Sequence, residues 1–382
     1  MPTPLPVATA TATPTATANA NANANVAPRA PSLAARLRAS LFPGPIAGAI
    51  SVAAMLLLAA AAYVLAQWAL VHAVYRPDFN ACRAAAGQGA CWGFVAEKYR
   101  LILFGRYPYE AQWRPLVATA LVLVLVVLTA WPRLWSRRGA WCLGIGWVVA
   151  LALFFALLGG GVAGLSVVES ERWGGLPLTV ILTLIGMTAC VPVGILLALG
   201  RRSSLPAVRG FCVLYIELVR GVPLITVLFF ATFVLPLLMP PGWRLDAFTR
   251  IALGITLFQA AYVAETVRGG LQTVPRGQFQ AAASLGLGYW ATHRSIVLPQ
   301  ALVAVVPAFV NSLLSTFMDT SLVTVVSMYD LTGSLKLALG DAQWRIFFVE
   351  GYLFVAAIYF VGCLLLAWYS AWLEDRLHTP HR

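Results

Sequence analysis

Long apolar runs alternate with short polar segments along most of the chain. From Pro45 onward, runs of about 20 apolar residues recur, which is the length an α-helix needs to cross the hydrocarbon core of a bilayer. The predicted fold is therefore an all-α integral membrane protein with about eight transmembrane helices. The pattern places these helices near residues 46–74, 115–132, 140–166, 177–200, 212–239, 248–270, 302–329 and 347–371.

Residues 1–43 break this pattern. They are rich in Ala, Thr, Pro and Asn and show no amphipathic period, so they bury too little apolar surface to offset the entropy of ordering. Basic residues follow this tract instead of preceding an apolar core, which is the opposite of the order in a secretory signal peptide. We predict a disordered, low-complexity cytoplasmic tail at 1–43.

Composition supports the membrane assignment. Hydrophobic residues make up 60% of the chain and charged residues only 10%, whereas soluble domains carry about 25% charged residues. The net charge is +12, from 26 basic and 14 acidic residues. Because the basic residues are dispersed between apolar runs, they indicate loops facing anionic lipid and the cytoplasm. The expected environment is a lipid bilayer, and we predict no nucleic-acid partner.

The distribution of Lys and Arg predicts an orientation. The short basic clusters "PRLWSRR" and "GRRSSLPAVR" lie against span ends on the same side as the N-terminus, and such clusters favour the cytoplasmic side. An even number of spans then places both termini in the cytoplasm. The loop near 76–114 would be periplasmic, and the loop at 268–300 cytoplasmic.

The cysteines allow one candidate disulfide. Cys82 and Cys91 flank a polar, glycine-containing segment in the predicted outer loop. An oxidising compartment would favour a disulfide between them, and two free thiols are equally compatible with the sequence. The other four cysteines lie inside apolar runs, where cysteine packs as a small hydrophobe. The four histidines are scattered, so no metal site is predicted.

The loop at 268–300 combines helix-forming and helix-ending residues. Good helix formers surround three alanines from Gln278 to Leu285, and Gly286 and Gly288 then permit the helix to end. We predict a second short helix over 289–297, with Pro299 opening the next membrane helix. Such a segment suits either docking into a groove of a partner or lying as a helical hairpin on the membrane surface.

The spacing within this loop resembles the E-A-A loop of ABC importer permeases, in which a Gly, an Ile and a Leu-Pro pair follow at fixed distances. Only the first acidic position departs, since it is Gln here. The resemblance implies that the loop couples the permease to an ATPase. The matching residues are Gln280, Ala281, Ala282, Gly286, Ile296, Leu298 and Pro299.

Further segments extend this resemblance, among them "LPAVRGFCVLYIELVRGVPLITVLFF", "AYVAETVRGGLQTVPRGQ" and "NSLLSTFMDTSLVTVV". From about residue 173 to the end, the chain resembles the polar amino acid permease family. The segment "GACWGFVAEKYRLILFGRYPYEAQWRP" resembles the M-type permease subunit of general L-amino acid ABC importers.

The resemblance implies a type I permease core of five helices at 173–373, preceded by a three-helix extension at 44–172 and followed by a cytoplasmic tail at 374–382. It implies a bacterial inner-membrane importer of L-amino acids. The implied partners are ABC ATPase subunits, a second permease in a heterodimeric or homodimeric pore, and a periplasmic amino-acid-binding protein. The added N-terminal spans favour a heterodimer.

The sequence predicts that this chain is not itself an enzyme. Its two lysines, Lys98 and Lys336, do not belong to a Gly-Lys-Ser/Thr phosphate-binding loop. ATP and Mg are therefore expected in the partner ATPase, with no cofactor in this chain.

Polar residues inside the predicted spans are candidates for the pathway or its gate, because charge in a membrane helix is costly. Glu217 and Arg220, at i and i+3, either form such a gate or neutralise each other structurally, and Gly221 and Pro223 would bend the helix after them. The remaining candidates are a polar stripe in the sixth span and a group in the seventh, where Met318 replaces a Lys usual in relatives. They are Gln259, Tyr262, Glu265, Asp319, Thr320 and Ser321.

Two other function classes are considered. A non-transporting structural membrane subunit would follow if Gln280 marks a degenerate coupling loop. An intramembrane enzyme is less favoured, because the sequence has no H-E-x-x-H motif and no Gly-x-Ser-x-Gly nucleophile turn.

Overall fold

The computed structural model describes residues 40–378, so most of the predicted tail at 1–43 and the last residues of the tail at 374–382 lie outside the described residues. The chain divides into two compact units, Met1–Gln67 and Trp68–Arg382. We describe each unit by itself.

The first unit contains one membrane-length helix, α1 (Pro45–Ala66). Pro45 occupies its first turn, where the missing N–H costs no intrahelical hydrogen bond. Apolar side chains surround the helix; Leu57 and Leu58, for example, are 72% and 69% exposed. An apolar surface on every side is typical of a helix that contacts lipid.

The second unit is a helical bundle with a small cap at one end, which contains the Cys82–Cys91 disulfide and Trp344. Its helices, in chain order, are α2 (Phe79–Ala84), α3 (Trp92–Phe104), α4 (Trp113–Thr129), α5 (Arg137–Gly159), α6 (Gly175–Arg201), α7 (Pro206–Arg220), α8 (Leu224–Phe229), α9 (Leu235–Leu238), α10 (Ala247–Thr273), α11 (Arg276–Ser284), α12 (Tyr289–Thr292), α13 (Leu298–Asp319), α14 (Leu331–Ala338) and α15 (Phe348–His378). A two-residue strand, β1 (Tyr329–Asp330), pairs in parallel with Gly174 and Gly175.

Seven helical segments in residues 40–378 are long and apolar enough to cross a membrane, and a bent helix pair raises the number to eight. This agrees with the predicted all-α membrane fold. The crossing segments are Pro45–Val71, Tyr109–Thr129, Arg137–Gly159, Gly175–Arg201, Ala247–Thr273, Tyr289–Val326 and Arg345–Arg376, together with the pair Pro206–Arg220 and Leu224–Leu238.

The span predicted at 212–239 is not one straight helix. Helix α7 ends at Arg220, and the helical segment Leu224–Leu238 continues at an angle of 108° to it. The break falls at Gly221 and Pro223, as the sequence predicts, because proline lacks the N–H that a continuing helix would use. Helix α7 therefore runs in a different direction from the rest of this span.

Small residues hold the centre of the bundle together. Helices α6 and α10 pack closely where Gly194 of α6 contacts α10. A Cβ on Gly194 would lie 2.7 Å from Val263 Cγ1 and 3.1 Å from the Ala260 carbonyl oxygen. Small residues at such crossings let membrane helices approach closely enough for extensive van der Waals contact.

The cap connects the segment that contains Cys82 and Cys91 to the start of α15. Cys82 and Cys91 form a disulfide with Cα atoms 5.3 Å apart. The backbone N–H of Cys91 donates a 2.8 Å hydrogen bond to Oε1 of Glu350, which lies in the first turn of α15. Phe94 and Trp344 pack beside the disulfide in the same buried cluster.

An ion pair at the surface of the cap adds a second link. Lys98 Nζ lies 2.9 Å from Asp341 Oδ2. The hydrogen bond from Lys98 holds the pKa of the Asp341 carboxyl below its usual value. This half-buried pair therefore keeps its ionised carboxylate until the solution is more acidic than the usual carboxyl range.

Candidate functional site

The loop predicted to couple to an ATPase forms a short helix and a tight turn. Helix α11 ends in a Schellman motif, in which Leu287 N–H bonds to Ala282 O at 3.1 Å and Gly286 N–H to Ala283 O at 3.0 Å. Gly286 has φ +70°, a conformation that glycine adopts without strain. The glycine therefore sets the direction in which the chain leaves α11.

One side of α11 is anchored to the bundle. Ala282 is buried, and Phe279 packs against a buried cluster that contains Val274 and Val297. The ring of Phe279 lies edge-on to His293 at 6.0 Å between centroids. These contacts fix the helix against the C-terminal end of α10 and the start of the helical segment that begins at Tyr289.

The opposite side of the segment is exposed. Gln280 faces away from the bundle, and the loop after α11 presents large apolar side chains, with Leu285 76% and Trp290 68% exposed. Exposed apolar groups next to polar ones are typical of an interaction site. The matching motif residues divide accordingly: Ala282 is buried, Ile296 and Leu298 are half-buried, and Gln280, Ala281, Gly286 and Pro299 are exposed.

The predicted second short helix at 289–297 is not separate from the next membrane helix. The chain remains helical from Tyr289 to Val326, with a π-helical turn at His293–Val297. Pro299 lies in the first turn of α13 and has no N–H to donate, which a local change from α to π geometry accommodates. Because the segment is continuous, Tyr289 and α13 belong to one helical element, Tyr289–Val326.

A cluster of charges joins three helices at the same end of the bundle. Glu265 Oε1 lies 2.7 Å from Arg201 Nη1, and Glu265 Oε2 lies 2.8 Å from Arg268 Nη2 and 3.7 Å from Arg220 Nη1. The Glu265 side chain is 15% exposed. One carboxylate thus holds α6, α7 and α10 together.

The predicted pairing of Glu217 with Arg220 does not form. Glu217 instead contacts Arg201 at 3.0 Å, while Arg220 turns toward Glu265 and lies 5.6 Å from the Tyr262 ring centroid. Arg220 on α7 therefore contacts Glu265 on α10, whose side chain is 15% exposed. Glu217, on the same helix as Arg220, is 57% exposed. The i, i+3 spacing alone identified the charges but not their partners.

Sequence analysis missed the roles of Arg201 and Arg268. In the sequence, each is only a basic residue near the end of an apolar run. The spacing of Glu265 and Arg268, at i and i+3 on one helix, was a usable signal for their contact. No local signal connects Arg201 to Glu265, because the two residues lie on different helices.

The proposed polar stripe in the sixth span divides into two environments. Gln259 is only 4% exposed and lies inside the bundle. Tyr262 packs on Phe258 at 5.0 Å between ring centroids, next to the charge cluster around Glu265. Tyr262 and Glu265 therefore belong to one site, and Gln259 to the interior.

The candidate group in the seventh span lies where α13 gives way to a 3₁₀ turn, Thr320–Val326. Thr320 is fully buried, and its hydroxyl donates to Phe317 O at 2.8 Å. Asp319 and Ser321 are half-buried, and the Asp319 carboxylate has no hydrogen-bond or ion-pair partner within residues 40–378.

A neighbouring buried acid was not singled out by the sequence. Asp330 is fully buried and caps α14, accepting hydrogen bonds from the N–H groups of Thr332 and Gly333 at 3.1 and 2.9 Å. The hydroxyls of Thr324 and Tyr359 donate to the same carboxylate at 2.8 and 2.9 Å. Its role is to hold α14 and α15 together. Over the described part of the chain, no three His, Cys, Asp or Glu residues are grouped to hold a metal ion.

Comparison with known proteins identifies relatives of both parts of the chain. Residues 190–379 match the family described as binding-protein-dependent transport system inner membrane component. The chain is 43% identical over 322 residues to the inner membrane amino-acid ABC transporter permease protein YhdY of Escherichia coli (strain K12), covering 83% of this chain and 86% of that protein. It is 35% identical over 409 residues to the glutamate/glutamine/aspartate/asparagine transport system permease protein BztC of Rhodobacter capsulatus, covering 91% and 94%.

A third relative is shorter. The probable amino-acid ABC transporter permease protein YckA of Bacillus subtilis is 33% identical over 202 residues, which is 53% of this chain and 87% of that protein. The two longer matches cover more of the chain than 173–382 alone can supply, so they share part of the N-terminal extension.

Proposed function

Since this chain belongs to the family of binding-protein-dependent ABC transporter permeases of the inner membrane, we propose that it forms one half of a transmembrane pathway for amino acids. The segment Arg276–Val297 couples it to a separate ATPase. The names of its relatives support amino acids as cargo. The proposed partners are ATPase subunits that bind ATP and Mg, a different second permease, and a periplasmic amino-acid-binding protein.

The geometry of Arg276–Val297 carries this proposal. A short helix is anchored on one side by Phe279 and Ala282 and is exposed on the other at Gln280. It connects two membrane-length segments, one ending at Thr273 and the other beginning at Tyr289. A displacement of α11 by a docked ATPase would therefore act on both membrane helices at once.

Crosslinking tests the ATPase contact. With the accessible free thiols Cys142 and Cys363 replaced by Ser, the variant Gln280→Cys, in membranes that contain the assembled ATPase, is expected to crosslink to that ATPase in a nucleotide-dependent manner. Arg137→Cys, exposed at the start of another helix at the same end of the bundle, is the matched control and should give no such crosslink. If Gln280→Cys behaves like Arg137→Cys although the complex is assembled, the segment is a surface hairpin and the structural-subunit alternative is favoured.

The disulfide supports the proposed orientation. A bond between Cys82 and Cys91 is typical of an oxidising compartment, so the cap would face the periplasm. Five crossings, counting the bent pair as one, separate Cys91 from Arg276. An odd number of crossings supports the proposal that α11 lies on the cytoplasmic side, where ATP is available, and that both chain ends lie there as well.

Thiol labelling tests this orientation with two positions at opposite ends of α10. In a background with Cys142 and Cys363 replaced by Ser, Arg244→Cys is expected to react with a membrane-impermeant maleimide in intact cells. Gln280→Cys is expected to react only after permeabilisation. Both side chains are exposed, so burial does not explain a difference. The reverse pattern would contradict the orientation without contradicting membership of the family.

A further inference from the structure

A basic cavity lies at the inner end of α6. Its volume is about 370 Å³, and it lies between the ends of α6 and α10 and the start of α7. A more open cavity of about 650 Å³ adjoins it and shares Arg209 and Val213. The first cavity is lined by Arg201, Arg202, Arg209, Val213, Arg268 and Gln272.

The charges of this basic cavity are only partly balanced. Arg201 and Arg268 are paired with Glu265, as described above. Arg202 and Arg209 are exposed, and within residues 40–378 they form no ion pair. The cavity therefore carries excess positive charge on two guanidinium groups, whose planar donors match the oxygens of a phosphate group.

The start of α7 adds donors to the same place. The helix begins at Pro206 and the Arg209 N–H donates to Leu205 O at 3.0 Å, so Ala207 and Val208 carry the first-turn N–H groups that have no intrahelical acceptor. Arg209 lies in this turn and lines both cavities. Free N–H groups and an unpaired arginine together favour an anion.

An apolar row continues from the cavities along α7. Phe211, Leu214 and Leu218 follow at helical spacing and are 66%, 65% and 60% exposed. Leu214 also lines the more open cavity. A ligand that satisfies both the arginines and this row must have an anionic end and a long apolar portion.

We propose that this groove binds an anionic phospholipid of the leaflet on the α11 side. The phosphate lies between Arg202 and Arg209, and an acyl chain follows Phe211, Leu214 and Leu218. Basic pockets between membrane helices are suited to such headgroups. The bound lipid would connect the end of α6 to α7, next to the carboxylate of Glu265 that joins the same helices.

Native mass spectrometry of the assembled transporter tests this site, using phosphatidylcholine nanodiscs that contain a minority of phosphatidylglycerol. Wild type is expected to retain one more phosphatidylglycerol than the variant R202Q/R209Q, with about 25-fold weaker retention in the variant, or about fivefold for each arginine. R137Q/R138Q removes the same charge from another exposed cluster at this end and should retain lipid as wild type does. Equal loss in both variants, or no loss in R202Q/R209Q, would overturn the proposal.

Two further arms identify the occupant. Glycerol phosphate carries the headgroup phosphate without acyl chains, and we expect it not to displace the retained phosphatidylglycerol. Displacement by glycerol phosphate would show a small-anion site and overturn the lipid assignment. A crosslink to another subunit from Ser204→Cys, an exposed position that lines the more open cavity, with no lipid retained by that variant, would show that a protein covers the groove and would also overturn it.

Discussion

Replacing Gly286 with Val is expected to reduce substrate-stimulated ATP hydrolysis of the assembled transporter by at least about tenfold, while leaving membrane insertion unchanged. The open space around Gly286, with no atom within 4 Å of a built Cβ, excludes a steric clash. The cost comes from φ +70°, where a side chain costs roughly 1–2 kcal/mol and a β-branched one more. Relief of this strain redirects the chain after α11, and each 1.4 kcal/mol changes an equilibrium about tenfold.

Gly288 provides the matched control. It also has no atom within 4 Å of a built Cβ, and its φ of −67° is accessible to any residue. Gly288→Val should therefore retain most of the stimulated activity. Comparable stimulation in Gly286→Val and Gly288→Val would show that the turn after α11 does not transmit the coupling. The measurement is ATP turnover in proteoliposomes with and without substrate-loaded binding protein.

Glu265→Gln is expected to be the most destabilising single substitution in the charge cluster. It leaves Arg201, Arg220 and Arg268 with only Glu217 among the acids of the cluster, and Glu217 contacts only Arg201. Breaking a buried ion pair costs about 3–5 kcal/mol. Because the arginines here are partly exposed, we expect about 2 kcal/mol and a midpoint of thermal unfolding lower by roughly 5 °C.

Glu217→Gln is the matched control, because it removes the same charge from the more exposed acid of the cluster. The Glu217 side chain is 57% exposed and contacts one arginine at 3.0 Å, so its loss should cost less than about 1 kcal/mol. Thermal unfolding of both variants in the same detergent gives the comparison. Equal midpoints for Glu265→Gln and Glu217→Gln would contradict the central role of Glu265.

The sequence predicts the membrane fold well because each span must satisfy its own backbone in lipid, so its length and apolarity are local properties. The bend is also a local property, because it follows from Gly221 and from the missing N–H of Pro223. Ion pairs between helices are not local properties. Glu265 contacts Arg201 on another helix, and no spacing in the sequence predicts that contact.

Residues of the loop at 268–300 include both a locally predictable position and positions that depend on packing. Gly286 was identified from its spacing, and its positive φ gives the physical reason for glycine at that position. The burial of Ala282 and the exposure of Ala281 depend on which face of α11 meets the bundle. Asp330 was missed because a helix-capping acid in a short loop has the same local pattern whether it is exposed or fully buried.

The hydrogen bond from Cys91 to Glu350 has a consequence for biogenesis. The two residues are separated by 259 positions, so the ribosome synthesises the disulfide loop long before it synthesises the acceptor that completes the cap. Until the last membrane helix has been inserted, the cap lacks its buried carboxylate and the packing of Trp344 and Phe347. Contacts so distant in sequence form late and slowly. The cap can therefore be completed only after α15 has been synthesised and inserted.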